Sequence, residues 1–271
     1  MKQTVLFICL IFLLQAARAA DVDTVNISSA KMHRSYKCVV ITPASYKDAK
    51  QRYPVVYLLH GYSGNYADWI TKVPAVKELA DTYQCMIVCP DGAFGSWYFD
   101  SPVDSSMRFE TYVGKEIPAY IDKHYKTLAE PRYRAITGLS MGGHGALYLA
   151  IRHPEIFGAA GSMSGGVDIR PFPKNWDLVK RLGEPGLNGA NWNDYTVINQ
   201  VDHLKQGALS LIIDCGIKDF FIDVNRNLHQ RLLQLGILHD YTERPGEHTW
   251  NYWANSVNYH FLYFHRFFQQ Q

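Results

Sequence analysis

Apolar residues along this chain gather into short runs that break at glycine, proline or aspartate, with stretches of helical spacing between them. Residues 36–42 are rich in β-formers. Residues 54–60 form an apolar run ending in Gly61-Tyr62-Ser63-Gly64, and residues 85–89 form another, closed by Pro90-Asp91-Gly92. Further strands are predicted over 133–137, 157–163, 209–213 and 239–244. Helical spacing predicts helices over 73–83, 108–125, 141–152, 221–235 and 252–268. Runs this short that stay apolar at every position suit strands buried on both faces, and their alternation with helices predicts an α/β fold with a mainly parallel sheet covered on both sides.

One stretch breaks the rhythm. Residues 165–205 are rich in Gly, Pro, Asn, Asp and Trp, which reads as an insertion over the sheet with one or two short helices. The remainder reads as a single domain over 20–271.

The first nineteen residues read differently. Lys2 is followed by an unbroken apolar run from Val5 to Leu14 and by Ala17-Arg18-Ala19, a small-x-small site. That is the pattern of a cleaved secretory signal, and the run is too short to span a bilayer, which takes roughly 20 apolar residues. The protein is therefore expected in the periplasm or the medium. Cleavage removes Lys2 and Arg18, lowering Lys plus Arg from 27 to 25 and matching the 25 Asp plus Glu. A formally neutral chain without a dense basic cluster points to neither nucleic acid nor an anionic membrane as partner. Charged residues make up 19% and hydrophobic residues 47%, a balance that fits a globular core rather than disorder. Export would permit disulfides. Cys38, Cys89 and Cys215 nevertheless sit in or beside apolar runs, as buried thiols do, and the cysteine spacing suits no zinc site.

The chemistry gathers at Gly138-Leu139-Ser140-Met141-Gly142, a G-x-S-x-G between a predicted strand and a predicted helix. In that context the serine occupies a strained turn, flanking glycines avoid backbone collisions, and the hydroxyl projects above the sheet. Ser140 is thus a candidate nucleophile, the alternative being a plain helix cap. A serine nucleophile needs a base oriented by a carboxylate, and in this arrangement the chain order is Ser, acid, His. Asp214 and Asp219 both follow the strand at 209–213. Asp214 continues directly from the buried run and fits a structural carboxylate, whereas Asp219 lies in the loop beyond a glycine and is the preferred acid. His248, in the loop before the C-terminal helix, is the best-placed base. The oxyanion donors are expected to be the backbone N–H groups of Met141, which follows the nucleophile, and of Tyr62, in the loop after the strand at 54–60.

Four blocks carry a resemblance: Y-P-V-V-Y-L-L-H-G-Y-S-G at 53–64, G-L-S-M-G-G at 138–143, D-C-G-I-K-D at 214–219 and G-E-H-T-W at 246–250. In these the chain resembles an esterase family of α/β-hydrolases that takes in feruloyl and acetylxylan esterases, S-formylglutathione hydrolases, small-ester esterases and the antigen 85 mycolyltransferases. The resemblance implies the α/β-hydrolase fold, the same triad and donors, and catalysis without metal or organic cofactor. G-S-W-Y-F-D at 95–100 also looks like the family's aromatic segment beside the active site. Trp97, Tyr98 and Trp250 are accordingly candidates for binding substrate, the alternative being that such aromatics pack the insertion onto the sheet. The expected activity is that of a secreted carboxylic-ester hydrolase acting on acylated plant polysaccharide or a related small ester. An acyltransferase of antigen 85 type and a non-catalytic carbohydrate-binding module on the same fold are the alternatives.

Overall fold

The computed structural model describes residues 19–47 and 50–270, so most of the expected signal segment lies outside the described residues. Eight strands form one sheet: β1 (Asp21–Ser29), β2 (Arg34–Thr42), β3 (Val55–Leu59), β4 (Met86–Pro90), β5 (Arg134–Gly138), β6 (Ala159–Met163), β7 (Ser210–Gly216) and β8 (Asp240–Arg244). Their spatial order is β1-β2-β4-β3-β5-β6-β7-β8. Strand β1 pairs antiparallel with β2 and β2 antiparallel with β4, and every other pairing is parallel.

The helices are α1 (Asp68–Lys72), α2 (Val76–Tyr83), α3 (Phe109–Thr111), α4 (Ile117–His124), α5 (Met141–Arg152), α6 (Leu178–Leu182), α7 (Gly189–Asp194), α8 (Val197–Gln200), α9 (Ile222–Gln234) and α10 (Trp250–Gln269). Alternate residues of each central strand enter opposite halves of the core, because a strand's side-chain period is two. Val55, Tyr57 and Leu59 of β3 pack with Leu147 of α5 and Leu228 of α9. Val56 and Leu58 pack with Leu79 of α2 and Phe261 of α10 on the other face. This two-sided burial explains why the strands are apolar throughout, and the fold is that of an α/β-hydrolase.

The structure departs from the sequence reading in places. Strand β1 was not predicted, because it lies at the sheet's edge with most of its residues exposed and so carries no apolar run. The helix expected over 73–83 begins at Val76, with the separate turn α1 before it. Strand β7 runs on to Gly216, which places Asp214 and Cys215 inside it. The 165–205 segment holds three short helices, α6, α7 and α8, and a 3-10 turn at Val201–His203. Its Leu178, Leu182, Trp192 and Val197 join the same core as α5. Cys38, Cys85, Cys89 and Cys215 are all free and buried.

Candidate active site

The turn from β5 into α5 sets the site. Ser140 has φ 54° and ψ −117°, outside the comfortable regions for a side-chain-bearing residue, a conformation that costs on the order of 1–3 kcal/mol. Neighbouring backbone enforces it. The Ser140 N–H donates to the Met163 carbonyl at 3.0 Å, and the Ser140 carbonyl accepts from the His144 N–H at 3.0 Å. A Cβ on Gly142 would meet the His60 and Leu59 carbonyl oxygens at 2.5 and 2.7 Å, so only glycine lets α5 start this close to the end of β3.

Pairing of β7 with β8 brings the other two loops together. The register matches Gly216 with Arg244. Beyond it the Lys218 N–H donates to the Gly246 carbonyl at 3.0 Å, and a Cβ on Gly216 would meet that same oxygen at 2.6 Å. The crossing loops put the Asp219 carboxylate 2.8 Å from His248 Nδ1, and His248 Nε2 lies 2.9 Å from Ser140 Oγ. A neutral imidazole with its proton on Nδ1 satisfies both contacts: Nδ1–H donates to Asp219 and Nε2 accepts from the serine hydroxyl. Asp219 is buried, and its second oxygen accepts from the Phe221 N–H at 2.8 Å. The ring of His248 is wedged among Phe220, Phe221 and Trp253, with centroids 4.2, 5.5 and 4.8 Å away. The chain therefore holds a serine, a histidine and a buried carboxylate in one hydrogen-bonded line.

Asp214, the other aspartate of the block, faces the interior. It accepts from His260 Nε2 at 3.0 Å and Tyr252 Oη at 3.0 Å, and from Ser256 Oγ, with Arg244 at 3.1 Å. Burial alone would push its carboxyl up, but the His260, Ser256 and Arg244 contacts together draw it below the ordinary carboxylate value.

The Gly61–Gly64 loop lies against the nucleophile: a Cβ on Gly61 would meet Leu139 Cδ1 at 2.6 Å and Ser140 Cβ at 3.5 Å. Among the described residues no hydrogen bond engages the N–H of Tyr62 or of Met141, leaving both free to serve an oxyanion. His60 braces this loop. Its Nε2 accepts from the Gly92 N–H and its Nδ1–H donates to the Gly61 carbonyl, both at 2.8 Å, and burial keeps the imidazole below its ordinary pKa.

Ser140 and His248 open on a cleft of about 710 Å³, walled by Trp176, Phe220, Trp250 and Trp253. Trp250, expected at the substrate, lines it. Trp97 and Tyr98 do not: they are buried, and this corrects the sequence expectation. Both have positive φ, 56° and 61°, and both rings are fully buried. Trp97 Nε1–H donates to the Trp176 carbonyl at 3.0 Å and Tyr98 Oη to the His60 carbonyl at 3.0 Å, so these rings support the walls instead of forming them. Phe220 was not singled out from sequence, although its place directly after Asp219 is a signal that it neighbours the base.

Residues 29–264 match the protein family described as "Putative esterase". The chain is 29% identical over 254 residues to an acetyl esterase of Caldicellulosiruptor saccharolyticus, covering 86% of this chain and 94% of the relative. It is 30% identical to an esterase of Mycobacterium tuberculosis over 78% of this chain, spanning about half (52%) of that longer relative. Among solved structures, a ferulic acid esterase superposes with a TM-score of 0.79 at 26% identity, covering 92% of this chain and 99% of the other.

Proposed function

This chain belongs to that esterase family, and from that premise we propose that it is an exported serine hydrolase of carboxylic esters, acting on acylated plant polysaccharide or related esters of the feruloyl or acetyl type. The observation that carries the reading is the continuous hydrogen-bonded line from Asp219 through His248 to Ser140, ending in a cleft with aromatic walls. Two names among the relatives, acetyl esterase and ferulic acid esterase, support the substrate class. The terminal Lys2, apolar and Ala17-Arg18-Ala19 pattern supports export. No helix among the described residues is long and apolar enough to cross a membrane.

In this mechanism His248 takes the proton of Ser140 as Oγ attacks the ester carbonyl, and Asp219 steadies the imidazolium. The tetrahedral oxyanion rests on the amides of Tyr62 and Met141. Each such donor contributes about 2.7–4 kcal/mol to the barrier reduction. The alcohol departs with the proton held by His248. Water, activated by the same imidazole, then cleaves the acyl-enzyme and regenerates Ser140.

Hydrolysis of p-nitrophenyl acetate, methyl ferulate and acetylated xylan by residues 20–271, beside the Ser140→Ala variant, tests the proposal. A loss of about three decades or more in the variant is expected, and the preferred substrate would then separate feruloyl from acetyl esters. Equal inactivity of both proteins on every ester would refute it.

A further inference from the structure

The 165–205 insertion reaches the oxyanion side of the cleft through one side chain. Tyr62, whose amide is read above as an oxyanion donor, directs its hydroxyl to Asp177 Oδ2 at 2.9 Å, its only side-chain hydrogen bond among the described residues. The ring is held on its way there. Phe94 packs edge-on against it with centroids 4.9 Å apart, and a Cβ on Gly95 would meet its Cε2 at 2.9 Å. The next residue is fixed too, since the Ser63 N–H donates to the Phe94 carbonyl at 2.7 Å.

Asp177 is itself anchored. Trp176 and Asp177 both have positive φ, 51° and 56°, which aspartate tolerates but a bulky residue such as Trp176 adopts only when its surroundings impose it. The surroundings here are the buried Trp97, whose Nε1–H holds the Trp176 carbonyl at 3.0 Å, and the buried Leu178 that follows. Asp177 precedes helix α6 yet makes no side-chain cap to it. Its carboxylate instead receives Lys180 Nζ at 2.8 Å and the Tyr62 hydroxyl, which together hold it below its usual pKa. Trp176 stacks on Phe220 with the rings inclined by 20°, and Phe220 packs on His248. Two adjacent residues of the insertion thus touch the oxyanion side and the base side of the cleft.

We propose that Asp177 is a positioning residue for ester hydrolysis: by accepting the Tyr62 hydroxyl it fixes the oxyanion loop, and with it the Tyr62 amide, at the place where negative charge develops. The inference rests on Ser140 as nucleophile and Tyr62 as oxyanion donor. A bond from a hydroxyl to a carboxylate is stronger than a neutral one, which suits it to holding a short loop of glycine and serine. The benefit arises where charge develops, so it belongs to the transition state and to kcat, not to ground-state binding.

The test compares wild type with Tyr62→Phe, Asp177→Ala, Asp177→Asn, the Tyr62→Phe/Asp177→Ala double variant and Ser140→Ala. Active sites are first counted with a fluorophosphonate. Readouts are kcat and KM on p-nitrophenyl acetate and inhibition by phenylboronic acid, whose tetrahedral adduct on serine mimics the oxyanion. Tyr62→Phe and Asp177→Ala are each expected to lower kcat per active site about tenfold, leave KM within about twofold and weaken the boronate by a similar factor. The double variant should be no worse than either single one, since both remove the same bond. Asp177→Asn should retain most activity through its amide oxygen. Unchanged kcat and boronate inhibition in both single variants, or additive losses in the double, would overturn the inference. A wild type without Ser140-dependent turnover would instead overturn the esterase reading on which it rests.

Discussion

Asp214 Oδ2 lies 3.0 Å from His260 Nε2, and both side chains are fully buried beneath the strand that leads to Asp219. His260 Nδ1 is in turn 2.8 Å from Thr137 Oγ1. A hydroxyl, an imidazole and a carboxylate therefore meet here as they do in the cleft, but with no route to a substrate. Two aspartates five positions apart stand in a structural and a candidate catalytic network.

Their variants should separate cleanly. Asp214→Ala leaves His260 and Arg244 without their buried partner and is expected to cost about 3–5 kcal/mol of stability, while kcat per folded active site stays within a few-fold. Asp219→Asn should lower kcat by about four decades through loss of the imidazole's orientation, with little change in unfolding midpoint. Urea unfolding and active-site-normalised kinetics on both variants check this, and the reverse pattern would exchange the two roles.

The aromatic cleft walls predict how substrate preference responds. Trp176→Ala and Trp250→Ala remove ring surface from the cleft, and each should raise KM for methyl ferulate about twofold to tenfold relative to p-nitrophenyl acetate, since an aromatic contact contributes about 0.5–1.5 kcal/mol. Trp97→Leu removes the indole that holds the Trp176 carbonyl, so it should lower the melting temperature and shift the same KM ratio less than Trp176→Ala does. Equal KM ratios in all three variants would exclude Trp176 and Trp250 from contact with the aromatic acyl group.

Acid should destabilise the fold through a buried histidine. Burial pushes the His144 imidazole from its ordinary 6.5 down to about 4. Its Nε2–H donates to the Tyr195 carbonyl at 3.0 Å, and the whole ring is buried. The folded value lies below the unfolded one. The contribution is therefore full above about pH 6.5 and is lost as the pH falls toward about 4. Burial lowers His60 in the same direction. His144 should account for ~2 kcal/mol of lost stability between pH 7 and 4.5. His144→Phe should flatten that part of the slope in urea titrations. An identical slope in variant and wild type would count against the assignment.

Much of this arrangement is legible along the chain, for a local reason. The glycines around Ser140 are needed within a few residues of it, because the collisions they avoid are with β3 and with the start of α5. Central strands show as apolar runs because both faces are covered, and a place in the loop before the C-terminal helix singles out His248 among the histidines that follow Asp219. Strand β1 escapes notice because an exposed edge imposes no such pattern.

What the sequence by itself determined is the alternation of buried strands with helices, the turn that raises Ser140, and the loops that carry Asp219 and His248. Only the tertiary structure decided which aromatic rings face the cleft. Trp97 and Trp250 look alike in sequence, yet Trp97 is buried with its Nε1–H on the Trp176 carbonyl while Trp250 opens helix α10 beside Trp69 at the cleft wall. The tertiary structure also joined Tyr62 to Asp177 across 115 residues. Periodicity reports how much of an element is buried, whereas the partner that a side chain meets depends on segments distant in the chain, which no local pattern encodes.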